Sequence, residues 1–432
     1  MNHLATQRYN LLSVKILDMM RGNESIPAMT YITGSSFIAF RRQMNNLNPI
    51  QYIITLQGYH AFLSELYQTN EVALDLEFDR NRYGYGFQLC LIQCQVHSTC
   101  YIIDPLLLDT SFQDFFAYLE DSKHTIVCFS FGEDFRLLRS LGCDVTTVRD
   151  LDIGLSLINT AKQSLVNQIS SRLGVQTSKA SQTSNWLTRP LSVKQIRYAC
   201  EDVYYLFELR DSIVTELQSK DRYTWFEQEN DWVYSLENLQ DENLNKISIK
   251  SKDLDGLNEI EGYTFKKLFE WRDMQAKKLG KPPFQVIDNN FLKLLTKKHS
   301  LIDNWNNERA VHYRLRKSTI RHEITKELSL ALEEAVIKGL NSSKPANIPL
   351  NLDDYAKLKQ EQKIIKEAKK KVFGPLKDGL IKKYGKHVQS YMLSNKVVQE
   401  LALGQTNLPS YRLDLFRQLS GEYSLEIEYY LG

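Results

Sequence analysis

The sequence predicts a mixed α/β domain, with a sheet covered by helices, followed by two all-helical domains. Strand-like apolar runs dominate residues 51–104, and strand and helix patterns then alternate to about residue 215. After about residue 254 almost every apolar pattern has helical spacing. At 432 residues the chain is too long for one compact core, so two or three domains are expected.

The α/β domain is predicted to span residues 51–215. Period-2 or buried apolar runs predict strands at 52–55, 72–78, 87–93, 99–104 and 125–129. Helical spacing predicts helices at 55–66, 112–119, 133–141 and 193–208. Thr55 and Ser192 have the residue type and position of N-caps. Strands first, and then strands alternating with helices, indicate a mixed rather than a purely parallel sheet.

The remaining segments differ in pattern. Residues 1–50 are a poorly patterned extension, and residues 216–246 are polar and acidic, as in a linker that carries some helix. Residues 247–330 and 345–421 share an outline of a long basic helix followed by shorter helices. Two similar blocks in one chain suggest a duplicated small helical domain.

Charge is unevenly distributed, although the formal net charge is only +2. Residues 353–386 contain eleven Lys against five Asp or Glu (11 − 5 = +6). Such a segment has two interpretations, a footprint for a phosphate backbone or a solvated basic helix.

The six cysteines show no Cys-x-x-Cys spacing and form no zinc-type cluster with the histidines. They are interpreted as reduced core residues of a cytoplasmic protein. No basic leader precedes an apolar stretch, and no window approaches the length of a membrane span. We therefore expect a soluble chain with no membrane partner, and no obligate protein partner is evident.

Two carboxylates at the end of an apolar run are the first candidates for chemistry. Asp75 and Glu77 lie at i and i+2, so a strand places both on one side. Like charges side by side repel each other unless a cation lies between them, and hard carboxylate oxygens suit Mg²⁺ or Mn²⁺. The alternative for Asp-x-Glu alone is a strand end with solvated acids.

Two downstream features favour the metal-site interpretation. Tyr198 and Asp202 are four residues apart, on one face of the predicted helix 193–208. An isolated acid precedes them at 133–134, where only one of Glu133 and Asp134 can face the site, and Asp134 is chosen by its spacing to the apolar residues that follow.

These motifs together resemble the DEDD superfamily of 3′-to-5′ exonucleases, in the branch whose third motif carries Tyr. Ser184-Asn185-Trp186, Arg189-Pro190-Leu191-Ser192, Gln195 and Tyr198-Ala199 make the resemblance specific for ribonuclease D. Glu270-Trp271-Arg272-Asp273 and Pro282-Pro283 resemble the HRDC domain that follows the nuclease in that family. The resemblance covers residues 50–421 and implies a ribonuclease H-like exonuclease fold with two HRDC-like domains.

The resemblance implies a site that holds two Mg²⁺ or Mn²⁺ ions. The implied ligands are Asp75, Glu77, Asp134 and Asp202, and Tyr198 would orient the attacking water. A phenol of ordinary pKa near 10 is a poor base at neutral pH, so Tyr198 is given a positioning role. Asp150 and Asp152 are given structural roles in capping and turns.

Candidate substrate contacts are Phe78, Gln88, Trp271, Lys277 and Lys278. Phe78 either wedges against the terminal bases or packs beneath the acids. Trp271 is either a stacking platform or a helical core residue. Lys277 and Lys278 either contact phosphates, together with Lys281, or form a solvated face.

The implied activity is metal-dependent 3′-5′ exoribonuclease activity that releases nucleoside 5′-monophosphates. The implied substrate is RNA with a single-stranded 3′ end, such as a tRNA precursor. Two alternatives are open, a 3′-5′ DNA exonuclease and a non-catalytic nucleic-acid-binding protein on the same scaffold. Contacts to the 2′-hydroxyl would separate RNA from DNA.

Overall fold

The computed structural model describes residues 49–177, 184–235, 249–346, 352–405 and 407–431. The predicted extension over 1–50 lies almost wholly outside the described residues. Among those described, no helix is both long and apolar enough to cross a membrane.

A six-stranded mixed sheet forms the first half. Its strands are β1 (Ile50–Ile53), β2 (Glu71–Arg80), β3 (Phe87–Val96), β4 (Thr99–Ile103), β5 (Thr125–Cys128) and β6 (Val148–Asp150). The spatial order is β1-β4-β3-β2-β5-β6, with β2 antiparallel to β3 and parallel to β5. The predicted mixed sheet is therefore present, and β2 lies at its centre.

Helices cover this sheet. They are α1 (Leu56–Leu66), α2 (Gln113–Glu120), α3 (Gly132–Ser140), α4 (Leu151–Leu157), α5 (Leu165–Leu173), α6 (Val193–Tyr204), α7 (Leu206–Ser219) and α8 (Tyr223–Val233). Thr55 caps α1 by accepting a hydrogen bond from the Gly58 backbone N–H, and Ser192 caps α6, as their residue types predict. The predicted helix 193–208 is two helices, since α6 ends before Tyr205 and α7 begins after it.

The predicted linker over residues 216–246 differs from what its polar composition suggested. It contains α8, whose Phe226, Glu229 and Asn230 are buried. The Asn230 side-chain oxygen accepts a hydrogen bond from the Asp150 backbone N–H at 2.7 Å. The polar residues of α8 therefore face partners in the fold, which composition alone does not reveal.

The named elements in the described part of the second half are all helices, joined by loops. A first helical block contains α9 (Glu259–Leu279), α10 (Pro283–Val286), α11 (Asn289–Lys297) and α12 (Ser318–Ile337). A last helical block contains α13 (Leu352–Ala368), a π-helical turn (Lys369–Phe373), α14 (Gly374–Tyr384), α15 (Lys386–Met392), α16 (Asn395–Ala402), α17 (Ser410–Tyr423) and α18 (Glu428–Leu431).

The two helical blocks are packed differently. The first has its own core, which includes Phe265, Leu268, Trp271, Leu292 and Trp305. The apolar residues of the last block instead continue the core of the sheet and its helices. The last block is thus an integral part of the core that contains the sheet.

Candidate active site

Strand β2 carries the first two acids of the site. Leu74 and Leu76 are buried in the core, whereas Asp75 and Glu77 keep part of their surface accessible, although their carboxyl groups are largely withdrawn from water. This alternation is the pleat of a strand with one apolar face. The pairing register with β3 shifts directly after Glu77, so β3 has a bulge at Cys90.

Helix α6 brings the third acid to the same place. Its start is fixed by a capping box between Ser192 and Gln195. Ligand oxygens of Asp75, Glu77 and Asp202 all lie within 4.8 Å of one another. Three carboxylates from residues far apart in sequence therefore converge on one point.

Tyr198 lies one helical turn before Asp202, close enough for that carboxylate to add to the effect of burial in raising the pKa of its hydroxyl. Its ring centroid is 6.1 Å from that of the buried Trp186. Trp186 therefore packs beside the ring, and helix α6 places the hydroxyl near the acids.

Helix α3 supplies Asp134, as its spacing predicts. The Asp134 carboxylate accepts a hydrogen bond from the Leu76 backbone N–H at 3.2 Å, between the two acids of β2. Its neighbour Glu133 points elsewhere and pairs with Arg80 and Arg136. The two adjacent acids therefore face different surroundings.

The start of α3 is anchored by Asp150. This buried carboxylate accepts hydrogen bonds from the backbone N–H groups of Ser130 at 2.7 Å and Phe131 at 3.1 Å. It also caps α4 by accepting from the Asp152 N–H. The predicted capping role of Asp150 is thus observed, and it positions the helix that carries Asp134.

Burial and mutual repulsion raise the pKa values of all four acids. Desolvation is the larger cause for Asp75, and the nearby Asp202 carboxylate adds to it. Burial raises the pKa of Glu77 to about 10 and that of Asp202 to about 7. The pKa of Asp134 is also well above its ordinary value, because of burial and then Asp75.

This donor set fits a hard divalent cation. The ion pairs recorded for the described residues include none that involves Asp75, Glu77, Asp134 or Asp202. Buried acids that repel one another and lack a basic partner are stabilised in their charged form by a bound Mg²⁺ or Mn²⁺. The acidic cluster is therefore a candidate metal centre.

A cleft of about 290 Å³ extends from Glu77. Its lining combines aromatic, basic and polar side chains, from Glu77, Phe78, Asp79, Arg80, Arg82, Tyr83, Ser184 and Trp186. Aromatic faces and guanidinium groups next to a metal centre suit a nucleotide, whose base stacks and whose phosphate is anionic.

One wall of the cleft is a loop organised by Asp79. Its buried carboxylate accepts hydrogen bonds from the backbone N–H groups of Tyr83 at 3.0 Å and Gly84 at 2.9 Å. A Cβ at Gly84 would lie 3.1 Å from the Leu187 side chain, so the loop packs closely against the segment that carries Trp186. In the sequence, the signal for this role is an acid two residues after Glu77, at the start of the polar, glycine-containing turn.

The structure also assigns a place to Arg189, to which the motifs gave no separate role. Its guanidinium pairs with the fully buried Asp104 through Nε at 2.5 Å and Nη2 at 2.8 Å. Nη2 also donates to the Cys90 carbonyl at the β3 bulge, and Nη1 donates to the Trp186 carbonyl at 2.6 Å. Arg189 therefore ties the Trp186 segment to the sheet beside the acids.

Four of the five predicted substrate contacts are partly or fully exposed. Phe78 lines the cleft and packs edge-on against Phe87, with ring centroids 5.0 Å apart. Gln88 is exposed, and its amide donates to the Tyr85 carbonyl at 3.0 Å. Lys277 and Lys278 are exposed in the last turn of α9.

Trp271 requires a correction. Its side chain is only 4% exposed, and its ring lies 6.4 Å from that of Trp305 in the core of the first helical block. A base cannot reach a ring that neighbouring side chains cover almost completely. The stacking role of Trp271 is therefore wrong, and the residue belongs to the core of this block. The helical spacing of α9 puts Trp271 on the apolar face.

Comparison with known proteins agrees with this geometry. Residues 50–218 match the family model described as 3′-5′ exonuclease. Ribonuclease D of Sphingobium indicum is 26% identical over 237 residues, which are 54% of this chain and 60% of that protein. The chain spans about three fifths or less of the length of the first curated relatives that it matches.

Two solved structures share the fold. Escherichia coli RNase D, described as an exoribonuclease involved in structured RNA processing, superposes with a TM-score of 0.59 at 19% identity, over 87% of this chain and 100% of that chain. The catalytic core of RRP6 from Trypanosoma brucei gives 0.57 at 22% identity, over 68% of this chain and 82% of that one. At these identities the likeness establishes the fold.

Residues 50–218, which hold the sheet and most of its covering helices, are therefore similar to 3′-5′ exonuclease domains. Within that class, the similarity to ribonuclease D that the motifs predicted is confirmed by the relatives and by the shared fold.

Proposed function

We propose that this chain is a metal-dependent 3′-5′ exoribonuclease that releases nucleoside 5′-monophosphates. The observation that carries the proposal is the convergence of Asp75, Glu77 and Asp202 on one point, with Asp134 bonded between the β2 acids. Two of the curated relatives, from Sphingobium indicum and Xanthomonas oryzae, carry the name ribonuclease D, and this favours RNA as the substrate.

Four carboxylates would hold the metal, namely Asp75, Glu77, Asp134 and Asp202. Two Mg²⁺ or Mn²⁺ ions held by these carboxylates would supply an activated water nucleophile and would neutralise charge on the leaving 3′ oxygen. The buried surroundings of the carboxylates strengthen their attraction for a cation, because the local dielectric constant is low.

Tyr198 acts on the attacking water by positioning it. Burial raises the pKa of its hydroxyl above the ordinary value, with the Asp202 carboxylate adding to the effect. The hydroxyl therefore stays protonated at neutral pH and can donate a hydrogen bond to the attacking water. Phe78, which lines the cleft and is partly exposed, would hold the terminal base.

We further propose a domain organisation in which residues 51–215 are the exonuclease and residues 247–330 and 345–421 are HRDC-type domains. The helical content of both blocks and the separate core of the first support this assignment, and the HRDC-type helices of the last block would pack onto the exonuclease rather than around a core of their own. In this proposal both blocks hold a structured RNA, such as a tRNA precursor, whose single-stranded 3′ end enters the cleft. The six buried free thiols favour a cytoplasmic location.

The test uses one sequence as 5′-labelled single-stranded RNA and DNA, each with Mg²⁺, Mn²⁺ or EDTA. We expect a ladder that shortens from the 3′ end of RNA and disappears with EDTA and in Asp75→Asn and Asp202→Asn. Faster digestion of DNA would show that the substrate is DNA rather than RNA. Tight binding without shortening would show that the chain binds nucleic acid and does not cleave it.

The adjacent acids of α3 provide a matched control. Asp134→Asn should remove activity, whereas Glu133→Gln should retain most of it, because Glu133 pairs with Arg80 and Arg136 rather than facing the acids. Equal loss in both variants would contradict the assignment of Asp134.

A further inference from the structure

The first helical block exposes aromatic rings among cations on one face. We call Lys281, Phe284, Tyr313, Arg314 and Arg316 the 281–316 surface. Phe284 is 55% exposed and Tyr313 is 65% exposed, although both are large rings. Exposed rings next to basic side chains are the features with which proteins bind single-stranded nucleic acid.

The fold brings the two halves of this surface together. The segments around α10 and before α12 are joined by a bridge between Ile287 and Val311. The His312 backbone N–H donates to the Val286 carbonyl at 2.7 Å. Phe284 and Tyr313, which are far apart in sequence, therefore belong to neighbouring backbone segments.

Three cations of this surface act electrostatically on His312, which precedes Tyr313 in the chain. The pKa of His312 is lowered, first by burial and then by the charges of Arg314, Lys281 and Arg316. Arg314 lies over the Tyr313 ring, 5.8 Å from its centroid, and donates to its hydroxyl at 3.1 Å. The ion pairs recorded in the described part of the chain do not include any of these three cations.

Nearby acids are turned toward the backbone. Asp288 caps α11 by accepting from the N–H groups of Asn290 and Phe291. The Glu308 carboxylate accepts from the Ala310 N–H at 3.0 Å. The positive charge at the 281–316 surface is therefore available to an external anion.

The surface also adjoins the cleft. The Gln285 amide, next to Phe284, donates to the Arg82 carbonyl at 3.4 Å, and Arg82 lines the cleft. In addition, the Tyr85 hydroxyl donates to the Asp273 carboxylate at 2.8 Å, which joins the same loop to α9. A strand leaving the cleft past Arg82 meets the 281–316 surface next.

We propose that the 281–316 surface binds the single-stranded RNA segment that precedes the 3′ nucleotide in the cleft. Bases stack on Phe284 and Tyr313, and phosphates contact Lys281, Arg314 and Arg316. This inference rests on the proposed function, and it names the part of the substrate that the first helical block recognises. Single-stranded RNA is the occupant because a ring can stack only on a base that is not already stacked in a duplex.

The test measures binding without cleavage, in the full chain carrying Asp75→Asn. Fluorescence anisotropy would give dissociation constants for labelled oligouridylates of three and about 12 nucleotides, the longer one matching typical single-strand sites. Tyr313→Ala should weaken binding of the longer RNA about fivefold or more. The preference for the longer RNA over the trinucleotide should shrink by the same factor.

Matched variants separate stacking from folding. Tyr313→Phe keeps the ring and should bind like the parent, and Tyr429→Ala, at an 84% exposed tyrosine on α18, should have no effect. Arg314→Ala should reduce the slope of log affinity against log salt by about 0.7, the value for one phosphate contact on a single strand. Circular dichroism would verify that each variant is folded.

The outcomes distinguish this inference from the proposed function. If the unsubstituted chain shortens RNA normally, but Tyr313→Ala and Arg314→Ala in the Asp75→Asn background bind the longer RNA as tightly as Tyr429→Ala does, the 281–316 surface does not bind RNA. If the longer RNA binds through this surface but no metal-dependent shortening occurs in the unsubstituted chain, the surface is supported and the proposed activity is wrong.

Discussion

At the scale of single residues, the site is a set of acids whose environment opposes their ionisation. Asp75, Glu77, Asp134 and Asp202 all have raised pKa values, chiefly because they are buried and then because they repel one another. Without a bound cation, this arrangement lowers the free energy of unfolding at neutral pH. Each unit of raised pKa corresponds to about 1.4 kcal/mol.

The first prediction concerns Asp75→Asn and Glu77→Gln in EDTA. A raised carboxyl pKa means that the folded state keeps a proton that the unfolded chain releases, so stability falls as pH rises between the two pKa values. For Asp202 that window runs from its ordinary 3.8 to about 7, and for Glu77 from 4.5 to about 10. Each variant should therefore melt at a higher temperature than the parent at pH 7.5, by circular dichroism.

The difference should shrink toward pH 5, where the parent acids become protonated. Mg²⁺ should raise the melting temperature of the parent more than that of either variant, because it binds the folded state. A variant that is less stable than the parent in EDTA at pH 7.5 would contradict the repulsion described here.

The second prediction concerns Tyr198→Phe. Removal of the hydroxyl should lower kcat up to about 100-fold through misplacement of the water, while the Mg²⁺ dependence of activity stays near that of the parent. The pH profile of kcat should keep its shape, because the Tyr198 hydroxyl remains protonated. Loss of a basic limb from that profile would indicate a base rather than a positioning residue.

At the scale of elements, the site depends on how the segment before α6 is held against β3 and β4. Arg189 carries this contact through the buried Asp104, which also accepts a hydrogen bond from the Tyr52 hydroxyl on β1. The bulge at Cys90 leaves a carbonyl to which Arg189 donates. One guanidinium therefore fixes the segment from which Trp186 packs beside Tyr198.

The third prediction is that Arg189→Ala destabilises the fold by about 3–5 kcal/mol, because it leaves the Asp104 carboxylate buried and unpaired. Arg210→Ala is the matched control. Its partner Glu71 is 46% exposed, so Arg210→Ala should lower the free energy of unfolding by about 1 kcal/mol or less. Urea unfolding would compare the two variants, and equal midpoints would show that the Asp104 pair does not hold this segment.

At the scale of the whole molecule, the last helical block is joined to the exonuclease side through a buried ion pair. Arg412 on α17 pairs with the fully buried Glu229 on α8, and its Nε lies 3.0 Å from the Glu229 carboxylate. Tyr391 and Tyr411 donate to the same carboxylate, and the Tyr411 ring stacks on Trp225 at 5.4 Å. This contact explains why the two regions share one core.

The fourth prediction is that Arg412→Ala loosens the last helical block, at a cost of about 3–5 kcal/mol, because Glu229 loses its counter-ion. Limited proteolysis should then cut within α13 to α18 before the sheet region. Lys383→Ala, which removes an exposed pair with Glu422, should be cut like the parent. Identical digestion of Arg412→Ala and the parent would contradict the role of this pair.

The pattern of single residues made much of the sheet side predictable. Alternation placed Asp75 and Glu77 on β2, and the four-residue spacing placed Tyr198 and Asp202 on one helix face. Cap chemistry identified the starts of α1 and α6. These features are local, because they depend on strand and helix periodicity and on hydrogen bonds within a few residues.

The sequence by itself thus determined the class of domain, the position of its acids and the helical character of the second half. Only the tertiary structure decided that Trp271 is covered by Trp305, that Arg189 meets Asp104 and that α8 binds Arg412. The two residues of each of these pairs lie 34 to 183 positions apart in the sequence, so strand and helix periodicity cannot predict that they meet. Burial and charge pairing between distant segments become visible only when the chain has been brought together.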